Sequence, residues 1–192
     1  MPWQQDRPVR NNNPGDLRPR SGLPNWPGQV SVDNGPGGPF AIFNSAAQGW
    51  AALALWCRYA SEHLHLTTAS EMISVFAPPS ENNTRAYIAG VEKLVGTGPL
   101  DLSSLPMRTA LCKAIARWED SRAFWEPGML ASGMRQCDVY WPSFSAALRS
   151  RQSRPPGVLE NPGSTAPAAA QPSTADDLNL AELNRVTPAK PA

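Results

Sequence analysis

The sequence predicts a mainly α-helical domain that carries a small β-hairpin and is followed by a disordered C-terminal tail. Three observations lead there. Between positions 45 and 121 apolar residues recur at three- and four-residue spacing, the period of helices that turn one face to a core. The turn-forming run DNGPGG separates two short apolar patches, Gln29 to Val32 and Phe40 to Phe43, as a hairpin loop does. From about Arg151 the chain turns to Pro, Ala, Ser, Thr and Gly with almost no large apolar residue, and such a stretch cannot offset its ordering entropy by burial.

Composition narrows the possibilities further. A chain of 192 residues has the length of one ordinary domain, but its 21 prolines are too many for that domain to fill the whole length. A net charge of +1 offers no basic field for duplex nucleic acid. Cys57, Cys112 and Cys137 make an odd count without the close spacing of a zinc or redox motif, and read as small core residues. The start, MPWQQDRPVRNNN, has no basic head followed by an apolar run, so no secretory signal is expected. No stretch is long and apolar enough to span a bilayer.

Taken in order, residues 1–9 read as a loose arm. Arg10 to Phe43 is punctuated by Asn, Pro and Gly, which excludes long helices and leaves the irregular hairpin. Ser45 with Gln48 has the form of a capping box, and Ala46, Trp50, Leu53, Cys57, Ala60 and Leu64 form the stripe of a central helix. A second box, Thr68 with Glu71, opens a shorter helix through Met72, Ile73 and Phe76 that Pro78 and Pro79 stop. A third helix begins at Asn83 or Thr84, with Tyr87, Ile88, Val91, Leu94 and Val95 as its buried stripe and Gly96 at its C-cap. The next, with Pro106 in its first turn, carries Met107, Leu111, Ala114, Ile115 and Trp118 on its apolar face and ends on Glu119. Aromatic residues among 123–150 (Phe124, Trp125, Tyr140, Trp141, Phe144) supply surface to pack back on the domain, with a turn or two of helix over Phe144 to Leu148. Within the tail, 176–186 (DDLNLAELNRV) has the pattern of a short helix that forms on a partner.

Glu119 is the first candidate for chemistry. A carboxyl beside Trp118 at a helix end is half-desolvated, which raises its pKa toward the range of a general acid. The plainer reading is a solvated surface glutamate. Trp26, between Asn25 and Pro27, reads as exposed and able to stack on a ring, whereas Trp50 lies on a core stripe. Glu81 reads first as charge compensation for the helix that starts at Asn83, and Asn11, Asn12 and Asn13 as turn formers. His63 and His65 diverge at a helix end, and no carboxylate and cysteine set completes a metal site, so neither metal nor other cofactor is predicted.

Three patches carry a resemblance. Ala77 to Val91, APPSENNTRAYIAGV, contains a segment similar to the ETR-x-YV-x-x-V signature of soluble lytic transglycosylases; RNNNPGDLR at Arg10 to Arg18, with NWPG and FAIF after it, resembles the NN-x-x-GI stretch and hairpin of bacterial glucosaminidases of the same lysozyme-like superfamily. In those families a helix ending in Glu-Ser opens the domain, whereas here Trp118-Glu119-Asp120-Ser121 comes last, the order a circular permutation produces. The pattern also resembles phage-encoded virion proteins that begin RNNNPGN and carry APP-x-ENNT-x-x-Y. Asp16 stands where that group usually has asparagine, and Asp120 where transglycosylases have serine.

The resemblance implies a permuted lysozyme-like (α+β) domain over 10–150. It implies a peptidoglycan-degrading glycosidase of lytic transglycosylase or muramidase type, associated with a phage virion or with lysis. Glu119 is then the single catalytic acid and base, Tyr87 lines the cleft beside it, and Asn13, Trp26, Asn83, Arg85 and Glu81 are the candidate glycan contacts. On the residues alone, Tyr87 reads equally as a core tyrosine. A conventional hydrolase needs a second carboxylate about 5 to 9.5 Å from the first, for which Asp16, Asp33 and Glu81 are available. The implied partners are the glycan strand and, through the tail, other virion proteins. The protein is then expected in the virion or the host cytoplasm before assembly, acting at the cell wall. Two other readings stand: a non-catalytic virion or wall-docking module, and an antibacterial effector exported by a contractile secretion system.

Overall fold

A computed structural model describes residues 6–20, 25–80, 82–120 and 125–152, and among them the chain is mainly helical with one small antiparallel sheet. The elements are α1 (Arg7–Arg10), β1 (Gln29–Asp33), β2 (Phe40–Phe43), α2 (Ala46–Glu62), α3 (Ala69–Phe76), α4 (Thr84–Val95), α5 (Leu105–Glu119) and α6 (Pro127–Gln152). Glu81, Ser121, Phe124, the expected tail from 153 onward and its helix at 176–186 lie outside the described residues.

The core is built around α2. Its small residues, Gly49, Ala51, Ala52, Ala54 and Ala60, let neighbours approach, while Trp50, Leu53, Leu55 and Trp56 fill the space between them, and all are buried. Burial therefore runs round most of the helix instead of along the single expected stripe, as happens to a helix enclosed by others. The box at its start closes on one side only. Gln48 N donates to Ser45 Oγ at 3.4 Å, while the buried Gln48 Oε1 has no partner among the described residues.

At α3 both halves form: Glu71 N donates to Thr68 Oγ1 at 3.2 Å and Thr68 N to Glu71 Oε2 at 2.9 Å. Pro78 follows directly on the helix end. α4 lies between α3 and α5, and α5 packs on α2. On α4, Tyr87 and Val91 are buried and Ile88 and Val95 partly so, but Leu94 is 53% exposed. That corrects the expected stripe, because the helix is covered by α3 and α5 over a narrower arc than the period alone allows.

Two larger differences concern the ends. Arg7 to Arg10 is a helical turn with Pro8 in its first positions, so part of the expected arm is ordered structure. And 127–152 is one helix, not a turn or two. Leu130, Met134, Cys137, Trp141, Phe144 and Leu148 alternate four- and three-residue steps and are all buried, a stripe masked in the sequence by Gly128, Gly133 and Pro142. The helix also runs through 151 and 152, past the compositional boundary at 151. Its main partner is α2. The two come together at Gly133, where a Cβ would meet the Trp50 Cβ at 2.4 Å and the Ala47 carbonyl oxygen at 2.7 Å.

The hairpin pairs Val32 with Ala41 and Asp33 with Phe40, with an irregularity between Gln29 and Ser31. Phe40, Ala41 and Phe43 of β2 face the core. The asparagine run before it ties the 10–18 loop to both strands, through Asn11 Nδ2 to Asp33 (3.0 Å), Asn12 Nδ2 to the Phe43 carbonyl (3.0 Å) and Asn13 Nδ2 to the Ala41 carbonyl (2.9 Å). No helix among the described residues is long and apolar enough to cross a membrane.

Candidate functional site

The last turn of α5 and the first turns of α4 are brought together by a missing side chain. A Cβ at Gly90 would lie 2.7 Å from the Trp118 ring, so only glycine lets α4 come this near. Trp118 then stacks on Tyr87 with ring centroids 4.9 Å apart. The pairing fixes the phenol, whose hydroxyl donates to Glu119 Oε1 at 2.6 Å. Two residues 32 apart in sequence thus meet as expected, but inside the protein: Tyr87 is fully buried and Glu119 is 2% exposed.

Burial decides the protonation of both. It holds the Glu119 carboxyl well above the ordinary carboxylate range; the negative charge of Asp16 adds to the rise, and the Tyr87 hydrogen bond and Arg7 oppose it. Burial, and then the charge of Glu119, hold the phenol well above its ordinary value, so it remains a donor. Glu119 Oε2 has no hydrogen-bond partner among the described residues. The result is a desolvated carboxyl biased toward its protonated form, with Oε1 engaged and Oε2 without a partner among the described residues, a form that can donate a proton to a group brought against it.

Asp16, whose charge adds to the rise at Glu119, is itself paired with Arg7. Arg7 Nε donates to both Asp16 carboxylate oxygens at 3.0 Å, and Nη2 donates to Oδ2. The guanidinium also lies 3.5 Å from the Phe40 ring centroid and donates to the Pro36 carbonyl at 3.1 Å. Asp16 is 2% exposed and has a backbone φ of +47°, the left-handed region that Asp and Asn tolerate better than most residues. Burial raises its carboxyl, and the Arg7 hydrogen bond and charge oppose the rise. Arg7 was hidden from sequence reasoning by the arm assignment; the signal for it was Pro8, a helix-starting residue directly after it.

The remaining candidates separate from this pair. Asn13 is fully buried, accepts from Leu17 N and donates to the Leu17 and Ala41 carbonyls, each at 2.9 Å. That corrects its assignment as a glycan contact, since every polar group of its side chain is spent on backbone. Trp26 is likewise corrected. It is 3% exposed, stacks on Phe144 at 5.9 Å and donates from Nε1 to the Arg18 carbonyl at 2.9 Å, because α6 covers it. Asn83 is exposed, and its Oδ1 accepts from Ala86 N at 3.2 Å as the N-cap of α4; Arg85 is exposed on the first turn of that helix. Glu81 lies outside the described residues.

Asp33 is held by Asn11 and Arg10, which, with the Gly35 amide, lower its carboxyl to about 2. The three cysteines are free and buried, Cys57 Sγ lying 3.8 Å from Cys112 Sγ. Among the described residues no group of three His, Cys, Asp or Glu side chains is placed to hold a metal ion. No protein-family model and no curated protein matches the chain.

Proposed function

We propose that the protein is a peptidoglycan glycan-strand-cleaving enzyme of the lytic transglycosylase type, on a permuted lysozyme-like domain, working from a phage virion or during lysis. The observation that carries this reading is the buried Tyr87–Glu119 pair with Glu119 Oε2 left over. Glu119 donates its proton to the glycosidic oxygen between N-acetylmuramic acid and N-acetylglucosamine. The sugar's acetamido group stabilises the oxocarbenium-like state. The carboxylate then removes the C6 hydroxyl proton as O6 closes on C1, giving an anhydro product and restoring the acid. Tyr87 holds the acid's orientation throughout. Asp33 is committed to Asn11 and Arg10, and Asp16 to Arg7, which supports a single-carboxylate route over a two-carboxylate hydrolase.

Loss of turbidity of purified cell walls tests it. Glu119→Gln is expected to lower the rate by about 10²–10⁴-fold, the range of a general acid, and mass spectrometry of the fragments is expected to find anhydro-muramyl ends. Equal rates for the two proteins would remove Glu119 from the chemistry. A second reading, a non-catalytic virion or wall-docking module, is favoured by the 2% exposure of Glu119; it predicts wall binding without fragment release by either protein.

A further inference from the structure

Two of the three cysteines touch. Cys57 of α2 and Cys112 of α5 are 55 positions apart in sequence, yet their Sγ atoms lie 3.8 Å apart in the core, and both side chains are fully buried. That is the contact distance of two reduced sulfurs. A disulfide holds its sulfurs at about 2.05 Å, so each has about 0.9 Å to travel, within the swing of a side-chain torsion. The helices that carry them already pack on one another, so no element has to be brought in from elsewhere. Cys137 of α6 is free and buried as well but stands outside that contact. A buried cysteine serves packing as any small apolar residue does; two that meet sulfur to sulfur across a helix interface also have a bond within reach.

We propose that Cys57 and Cys112 are a modification site, a dithiol that closes to a disulfide and bonds α5 to α2 once the chain meets a disulfide-bearing oxidant. Nothing in this depends on what Glu119 does. One cysteine, as its thiolate, attacks the oxidant's S–S bond, giving a mixed disulfide and releasing one oxidant thiolate. The other cysteine then attacks the mixed disulfide at the first one's sulfur and releases the second. The bond between Cys57 Sγ and Cys112 Sγ forms and the oxidant's S–S bond breaks. The two cysteines give up two electrons, the oxidant takes them, and the two thiol protons end on its sulfurs.

The fold sets when this happens. Burial, and then the Cys57 thiol, hold Cys112 well above the ordinary thiol range, and a thiol kept from ionising is a poor nucleophile. Exchange therefore runs while the chain is open or folding, and the native contact then selects this pair over either pairing with Cys137. The product ties the helix that ends on Glu119 to the central helix of the core.

Full-length protein unfolded under reduction, then refolded in a mixture of oxidised and reduced glutathione, tests it. Of the three thiols, titration in denaturant is expected to find one left in the wild type, none in Cys137→Ala, and both remaining thiols in Cys57→Ala and in Cys112→Ala. The wild-type chain should be about 2 Da lighter, as loss of two hydrogens requires. A non-reducing digest of the wild type should join the peptide of Cys57 to that of Cys112, which reads the bond without any variant. Because the link closes a long loop, the oxidised form should melt about 10 °C above the reduced one, and dithiothreitol should remove the difference. Three thiols left in the refolded wild type, glutathione adducts in place of the bond, or a link to Cys137 overturns the pair. A bonded protein that melts no higher than the reduced one overturns its role in tying α5 to α2.

Discussion

A carboxyl group closed off from water keeps its proton to higher pH than the same group in an unfolded chain, and Glu119 is such a group. Between its ordinary value of 4.5 and its raised folded value, the native state binds a proton that the unfolded state has lost. Stability therefore falls as pH rises through that window. Glu119→Gln keeps an acceptor for Tyr87 and cannot ionise, so it should melt at the same temperature as wild type near pH 4 and increasingly above it toward pH 8. Thermal unfolding followed at a series of pH values checks this, and a constant difference would contradict it. The same substitution is expected to lower cleavage by about 10²–10⁴-fold, a loss that a purely structural residue would not produce while stability rises. Helix periodicity placed Glu119 and Tyr87 on two strongly patterned helices but left Tyr87 equally readable as a core tyrosine; that the two meet was expected only through the resemblance to lytic transglycosylases. The Arg7–Asp16 pair was not legible, since an irregular loop of nine residues carries no period from which to read a contact.

Among the elements, the helices with clean caps were the most readable. The Thr68 and Glu71 box, the proline stop after Phe76 and the Asn83 cap all act where local chemistry puts them. The hairpin was readable from its turn. Its attachment to the 10–18 loop was half readable: Asn11 to Asn13 were read as turn formers, yet their side chains bond across to β1 and β2. Asp33 is the charged end of that attachment. Its folded value of about 2 lies below the ordinary 3.8, so its contribution is present above about pH 4 and is lost as pH falls toward 2. Asp33→Ala should cost about 1 kcal/mol at neutral pH, reduced by the exposure of Arg10 to water, and almost nothing near pH 2. Urea titrations at the two pH values would separate these outcomes. The burial of Trp26 was misread for a related reason: Phe144, which covers it, lies 118 residues away on a helix whose stripe Pro and Gly concealed.

At the scale of the whole molecule, α2, α5 and α6 are joined by a charged seam. Asp138 of α6 accepts from Arg108 of α5 at 2.7 Å and from Arg58 of α2 at 3.2 Å, and Arg58 also pairs with Glu62. Arg108 is 2% exposed, while Asp138 is half in water. Removing Asp138 leaves a buried guanidinium without its carboxylate, so Asp138→Ala should cost about 2 kcal/mol, below the range for a wholly buried pair because water partly replaces the lost partner. Chemical denaturation with an unchanged m-value would agree with this; a cost within error of zero would not. No sequence period announces such a seam, because Arg58, Arg108 and Asp138 fall on three different helices.

The near-touching backbones at Gly133 carry one more consequence. A single methyl there, as in Gly133→Ala, has nowhere to go except against Trp50 and the Ala47 carbonyl, and overpacking of this kind costs about 1–3 kcal/mol. For a domain of this length that lowers the melting point by only several degrees. The variant should make a conditional allele, working in cold culture and failing in warm, and so allow the protein to be switched off at a chosen moment without touching its chemistry.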